Sequence, residues 1–446
     1  IKSNILILHK RLSFIMRGKF MFKFILLFSF SLFAQEEFIN DPICGSDDLL
    51  RIKSIKYPWY KQSADDVFNR ALEYSKKNNF NRQTIYEIPV VFHVVYNTDA
   101  QNLSDDVIQS QLDVLNEDFR RLNANASETR EEFLPFAGDP QIEFYLATED
   151  PDGNATTGIT HTYTSNSGFP YISITDLFTG NITLDNVKSS ATGGVDAWDT
   201  SRYMNVWVCN IEESFLGQVL GFAYPPVDVQ DALDSLEYDT VPDWSQFEGA
   251  LADQSLQGIV LHYPVVGRNN PQAGDDGIEG NELGKTLIHE AGHFLGLRHI
   301  WGDALLGGGC SVDDGIGDTP NQEAASQFTC NFSADSCTDS PTDYPDMVEN
   351  YMDYSTDACM NMFTNIQIDV MRAVLEIARP GLIEGSQGSN CLFGDINGDL
   401  NINVLDVILA VNIILDIEEA NDCADINADG TIDILDIISI VNLILE

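Results

Sequence analysis

His289-Glu290-Ala291-Gly292-His293-Phe294-Leu295-Gly296-Leu297-Arg298-His299 is the stretch on which the fold class turns, and its pattern is HExxHxxGxxH. On a helix, residues four apart share a face, so His289 and His293 aim two imidazoles at one ion while Glu290 lies beside them without ligating. Gly296 is where such a helix ends in a left-handed turn that a β-carbon would resist. The chain then swings round and His299 brings a third nitrogen. Three histidines leave one tetrahedral position for water, the pattern of a catalytic zinc site; a purely structural site would need a fourth protein ligand, and none is near in sequence. Zinc there would bring that water's pKa toward about 7 and polarise a carbonyl, with Glu290 as the candidate general base. With seven histidines in 446 residues, the full string has a chance expectation on the order of 10⁻⁵ per chain.

Upstream of this helix the sequence reads as a mixed domain beginning near residue 85. YEIPVVFHVVYN, from Tyr86, is a β-branched run of the buried-strand type. Ser104 stands as a plausible cap before an amphipathic helix carrying Val107, Ile108, Leu112, Leu115 and Phe119. Further strands are predicted over 142–148, 203–210, 220–224 and 259–263. His93 and His262 fall in strands and read as core histidines. Downstream, 301–351 is loop-rich, 365–378 is a closing helix, and 383–393 has linker composition. The predicted class is α+β, with the large domain over 85–382.

Composition narrows the function. The chain carries 69 acidic against 24 basic residues, a formal charge of −45, which the phosphates of DNA or RNA would repel. Residues 1–34 instead hold Lys2, Lys10, Arg11, Arg17, Lys19 and Lys23 and an apolar run too short to span a bilayer, the order of a secretory signal peptide preceded by upstream residues. Residues 35–84 have too few apolar side chains for a core of their own and read as a pro-segment. Export lets the eight cysteines pair. Cys310, Cys330, Cys337 and Cys359 cluster, and spacing alone allows three pairings among them.

Asn350-Tyr351-Met352-Asp353-Tyr354, Gly309-Cys-Ser-Val-Asp-Asp-Gly-Ile-Gly-Asp-Thr-Pro-Asn-Gln322 and the helical SQLDVLNEDF from Ser110, taken with the zinc motif, resemble the pappalysin family of metzincin metallopeptidases over about 85–380. That resemblance implies a zincin fold with a twisted, mixed five-stranded sheet and helices above a loop-rich lower subdomain. It implies that Met352 forms a methionine turn under the metal and that Tyr354 donates its hydroxyl to the oxyanion. It implies disulfides Cys310–Cys337 and Cys330–Cys359, and calcium in the loop of Asp314 and Thr319. Strand 220–224 would pair antiparallel with substrate backbone; an ordinary buried strand is the alternative. Cys44 resembles a latency cysteine whose thiolate closes the open metal position; a free or disulfide-bonded Cys44 is the alternative. Asp353 and Asp357 could favour a basic side chain after the scissile bond.

The last fifty residues repeat. GDINGDLNINVLDVILAVNIIL, from Gly394, matches ADINADGTIDILDIISIVNLIL, from Ala424, at 12 of 22 positions. Oxygen-bearing side chains recur at loop spacing: Asp395, Asn397, Asp399, Asn401, Asn403 and Asp406, then Asp425, Asn427, Asp429, Thr431, Asp433 and Asp436. Alternate side chains of a tight loop converge on one calcium ion. Loop followed by helix, twice, resembles a type I dockerin over about 394–446, which implies a small all-α calcium-binding domain and a cohesin-type partner. Leu400 stands where Gly430 stands in the second copy, at a position expected to be left-handed, so the first site is the weaker. The combined expectation is a secreted zinc endopeptidase made as a zymogen, acting on proteins or peptides, with no membrane span. The rival class is a catalytically dead calcium-dependent adhesion protein, which intact Glu290 disfavours.

Overall fold

A computed structural model describes residues 43–77, 84–214, 217–227, 255–274, 278–302, 309–327 and 329–383, and in the C-terminal repeat 396, 402–415, 424, 432 and 434–445. The expected signal peptide and linker lie outside the described residues, Ile383 excepted.

The sheet is built around β2 (Tyr86–Tyr96), whose eleven residues alternate between the two faces. Its first half pairs in parallel with β3 (Ile142–Leu146) and its second half with β4 (Ile159–Tyr163) along the same edge; β6 (Met204–Cys209) takes the other edge, also in parallel. β9 (Ile259–His262) follows parallel to β6, and β8 (Val219–Ala223) runs antiparallel to β9. All five predicted strands form. The sheet nevertheless has seven strands, not five. β4 was not anticipated because ITHTY is only half-buried and has no apolar alternation. The seventh strand, β1 (Ile43–Cys44), comes from the segment expected to be a pro-segment and pairs with β8. β5 (Phe169–Pro170) and β7 (Ile211–Glu212) form a separate short ribbon.

Strand periodicity feeds two cores. Met204, Val206 and Val208 of β6 join Ile88, Val90, Phe92 and Val94 of β2 on one face. Trp207 and Cys209 join Val95, Val260 and Phe222 on the other. Helices α3 (Asp105–Phe119), α4 (Lys285–Phe294) and α5 (Asn365–Ile377) cover the first face. Ser104 occupies the N-cap position of α3 with extended backbone but makes no capping side-chain bond. At α5 the cap is complete: Thr364 Oγ1 accepts from Gln367 N, and Gln367 Oε1 accepts from Thr364 N.

The segment expected to be a pro-segment has few apolar residues and buries them in the two cores of the main domain. Helix α1 (Ser46–Lys56) places Leu49 and Ile52 in the second core, and α2 (Tyr60–Lys77) places Val67, Phe68 and Ala71 in the first, where it packs along α5. In the loop-rich region Cys310–Cys337 and Cys330–Cys359 are disulfides, the pairing the resemblance implied. Cys209 is a buried free thiol, and Cys44 is buried as well. His93 is a core histidine as expected, held between Thr160 Oγ1 at 2.9 Å and Asn205 Oδ1 at 3.0 Å, and His262 Nδ1 accepts from Ile211 N at 3.0 Å. In the C-terminal repeat, α6 (Val404–Ile414) and α7 (Ile434–Leu445) pack together around Ala410, Ile413 and Ile440. Among the described residues, no helix is long and apolar enough to cross a membrane.

Candidate metal centre and cleft

His289 and His293 project from one face of α4. The helix stops at Phe294 because Gly296 turns left-handed, with φ +91°, and a β-carbon there would come 2.9 Å from Val374 Cγ2. The chain doubles back and delivers His299. The three Nε2 atoms stand 3.1, 3.1 and 3.0 Å apart. Protonated nitrogens would repel at that spacing, so these are lone pairs converging on a shared point, compatible with zinc–nitrogen bonds of about 2.0–2.1 Å. Their tautomers are fixed from behind: His289 Nδ1–H donates to Tyr351 O at 2.7 Å and His293 Nδ1–H to Leu297 O at 2.9 Å. Burial, reinforced by His293 and His299, pushes the His289 pKa far below the ordinary imidazole value and keeps the ring neutral. Trp301 stacks on His299 with centroids 4.4 Å apart and planes at 9°. This donor set fits zinc.

Cys44 completes the cluster: its Sγ and the three ring nitrogens all lie within 4.8 Å of one another. The cysteine arrives on β1, which lies along β8 in parallel, with Gly45 N donating to Gly221 O at 2.9 Å. The β8 edge expected to hold substrate is thus occupied by β1. Gly45 is required for the fit, since a β-carbon there would meet the Tyr171 ring at 2.7 Å.

Glu290 is fully buried beside the histidines. It presses on β8 where only glycine fits, for a β-carbon on Gly221 would stand 2.6 Å from Glu290 Cγ. Ser46 Oγ donates to Glu290 Oε2 at 3.2 Å and accepts from Ala223 N at 3.1 Å. Nothing in the sequence singled out Ser46; its place follows only from β1 crossing the cleft. Below the centre, Met352 is buried against α4, and a β-carbon on Gly292 would come within 2.4 Å of its Sδ. The Tyr354 ring sits 5.6 Å from that of His289 and 4.9 Å from that of His299, while Cys44 N donates to its hydroxyl at 3.3 Å.

The two aspartates of the methionine-turn region both border a cavity beside the centre, and both also accept backbone hydrogen bonds. Asp353 is buried and accepts from Ser326 N, Tyr354 N and Gln322 Nε2 at 3.0, 2.8 and 3.1 Å. All three bond Oδ1, while Oδ2 accepts from Ser326 Oγ and Ser355 Oγ, so Asp353 organises the loop. Asp357 borders a cavity beside the centre with Leu220, Asn281, Thr286 and Met360. Its Oδ2 accepts from Leu283 N at 2.8 Å and Lys285 N at 3.3 Å, capping a helix whose own cap, Gly284, has no side chain. Burial raises its pKa to about 7 against those backbone bonds.

Asp314 is buried, and its Oδ1 accepts from Ile316 N and Thr319 Oγ1 at 2.9 Å each. The two expected calcium ligands therefore bond to each other in a turn. In the C-terminal repeat, Asn403 Oδ1 accepts from Leu405 N at 2.8 Å, and Asp406 accepts from Asn403 N at 2.8 Å and Ile396 N at 2.9 Å. Asp406 and Asp436 are buried in the first turns of their helices. Asp395, Asn397, Asp399, Asn401, Asp425, Asn427, Asp429, Thr431 and Asp433 lie outside the described residues.

Residues 272–376 match the peptidase M43 family, described as pregnancy-associated plasma protein-A. An extracellular metalloprotease of Arthroderma benhamiae is 38% identical over 127 residues, 28% of this chain and 39% of that protein, so the match spans about two fifths of such curated relatives. Another, of Arthroderma gypseum, is 27% identical over 304 residues, 68% of this chain and 77% of the relative. Mature mirolysin of Tannerella forsythia, solved with a cleaved peptide, is 40% identical at a TM-score of 0.54, covering 68% of this chain and 97% of its own. A promirolysin structure from the same organism is 36% identical at a TM-score of 0.60 and covers more of this chain, 77%, and 97% of its own.

Proposed function

The chain belongs to the peptidase M43 family of metallopeptidases, and from that premise we propose that it is a secreted zinc-dependent endopeptidase made as a zymogen. The observation that carries this reading is the triangle of Nε2 atoms 3.0–3.1 Å apart with buried Glu290 beside it and Cys44 closing its open side. The larger share of this chain covered by promirolysin than by mature mirolysin supports the zymogen part. His289, His293 and His299 would hold zinc, which when bound supplies a Lewis acid for the scissile carbonyl and acidifies water.

The remaining chemistry belongs to side chains of this protein. Glu290, desolvated against Gly221, takes the proton of the attacking water and passes it to the leaving amine. The Tyr354 hydroxyl, freed from the Cys44 backbone, donates to the oxyanion as charge develops there. Met352 packs beneath the imidazoles and fixes their spacing. In the zymogen, Cys44 Sγ would join the three imidazoles in holding zinc, Ser46 holds Glu290, and β1 fills the β8 edge. Glu290→Ala in the processed enzyme is expected to cut casein cleavage by roughly 10²–10⁴-fold, the usual share of a general base, with zinc content retained. Undiminished cleavage would overturn the mechanism.

We further infer that 394–446 is a dockerin-like module, with calcium bound by the two acidic loops and a cohesin-type scaffold as partner. Support comes from the repeat itself and from Asp406 and Asp436 at the starts of two helices packed on each other. Calorimetric calcium titration of the full chain tests it. Two bound ions are expected, reduced by Asp436→Ala with casein cleavage unchanged; no calcium binding in the repeat ends the reading. The Asp314–Thr319 loop is a further calcium candidate, and a third ion surviving deletion of the repeat is its signature.

A further inference from the structure

A second cavity borders the metal centre, separate from the one that Asp357 lines. Pro225, Pro226, Gly296 and Leu297 wall it, it shares His293 with the centre, and the pro-segment residues Asp65 and Phe68 contribute to its lining. Arg298, next to the third histidine, stands in this cavity. Its Nη2 donates to Asp65 Oδ1 at 2.8 Å, and its guanidinium lies 4.0 Å from the centroid of the Phe68 ring. The pair is partly desolvated, with side-chain exposures of 27% and 26%. Asp65 Oδ2 also receives Lys61 Nζ at 2.6 Å from the same helix. The carboxylate and the aromatic face that Arg298 meets in the zymogen both belong to α2, and both leave with it on processing.

β8 gives this cavity a direction. Its Leu220 end borders the Asp357 cavity, and the chain beyond its Ala223 end becomes the Pro225-Pro226 wall. A substrate paired antiparallel to β8 therefore places the residues after its scissile bond at the Leu220 end. Those before the bond fall beside Arg298. Resting on the endopeptidase reading, we propose that Arg298 is a specificity-determining residue of the mature enzyme, taking an acidic side chain on the N-terminal side of the scissile bond, and that Asp65 holds that place in the zymogen. The planar guanidinium fork suits a carboxylate. On a chain with 69 acids to 24 bases, general electrostatics favour basic substrates, so an acidic preference confined to one position would have to come from a local cation.

The test uses processed enzyme and matched peptide pairs with Glu or Gln at each of the positions preceding the cleaved bond. A kcat/KM preference for Glu of roughly threefold to fivefold at one position is expected, as for a partly exposed ion pair. Arg298→Gln should abolish it and Arg298→Glu should turn it toward Lys. No Glu preference in the wild-type enzyme, or an unchanged one in Arg298→Gln, overturns the proposal. The same pairs bound to processed Glu290→Ala protein and followed by fluorescence anisotropy give a Kd ratio that needs no turnover. Absence of cleavage by wild-type enzyme would sink the endopeptidase reading, whereas equal Kd values for the Glu and Gln peptides would sink the Arg298 subsite alone.

Discussion

At Ser46 a single hydroxyl connects α1 to Glu290, the proposed general base. Removing it takes one hydrogen bond from Ala223 N and one from Glu290 Oε2 in the latent form, and a buried hydrogen bond is worth about 0.5–1.5 kcal/mol. Ser46→Ala is expected to shorten the lag before pro-segment release, followed on gels over time, and to leave the processed enzyme's kcat/KM alone, since Ser46 departs with the pro-segment. An unaltered lag would show that Cys44 and β1 carry latency without it. Gly292 is the second residue-scale case. A methyl group there would meet Met352 Sδ at 2.4 Å, so Gly292→Ala should lower stability by about 1–3 kcal/mol, the usual cost of overpacking. Met352→Ala should relieve part of that loss in the double variant, and strictly additive melting shifts would deny the contact. The histidines, Glu290 and Met352 were legible in sequence because each is tied to a fixed offset on a helix or turn. Ser46 and Arg298 were not, because their partners lie 244 and 233 residues away.

The element that depends most on distant residues is α4. Its N-terminus has no side-chain cap of its own and borrows Asp357 from the far side of the methionine turn. Burial raises the Asp357 pKa from 3.8 to about 7, so the folded state holds this proton more tightly than the unfolded chain does. Stability from this group is therefore fully present below about pH 4 and is lost as pH rises through about 7, with a slope of at most about 1.4 kcal/mol per pH unit. Asp357→Asn keeps an acceptor and removes the titration. The difference between wild-type and variant unfolding free energies should vary across pH 4–7 and flatten above it; a difference independent of pH would contradict the assignment. The sheet shows the same division between local and distant information. Five strands carried continuous apolar runs and were read correctly. β4 escaped because it is an exposed, threonine-rich edge pairing with the second half of β2, and β1 because two residues have no periodicity to read.

Across the whole molecule, the proposed pro-segment both pairs with β8 and packs into the cores. Val67, Phe68 and Ala71 complete one core and Leu49 and Ile52 the other, so its release exposes apolar surface worth about 25 cal/mol per Å². The zymogen is expected to melt higher than the processed enzyme by scanning calorimetry at matched calcium and zinc; equal transition temperatures would mean that these contacts are replaced by the enzyme alone. The sequence by itself determined the clustering of the three histidines, the place of Glu290 on their helix, the α+β class and the C-terminal repeat, because each is a periodic or short-range pattern that helix, strand and loop geometry convert directly into position. The tertiary structure alone decided that the pro-segment enters the sheet in parallel with β8, that Asp353 serves a loop while Asp357 caps a helix, and that Arg298 faces a carboxylate. Those outcomes depend on which distant surfaces bury one another, and burial between residues hundreds of positions apart leaves no spacing in the chain to read.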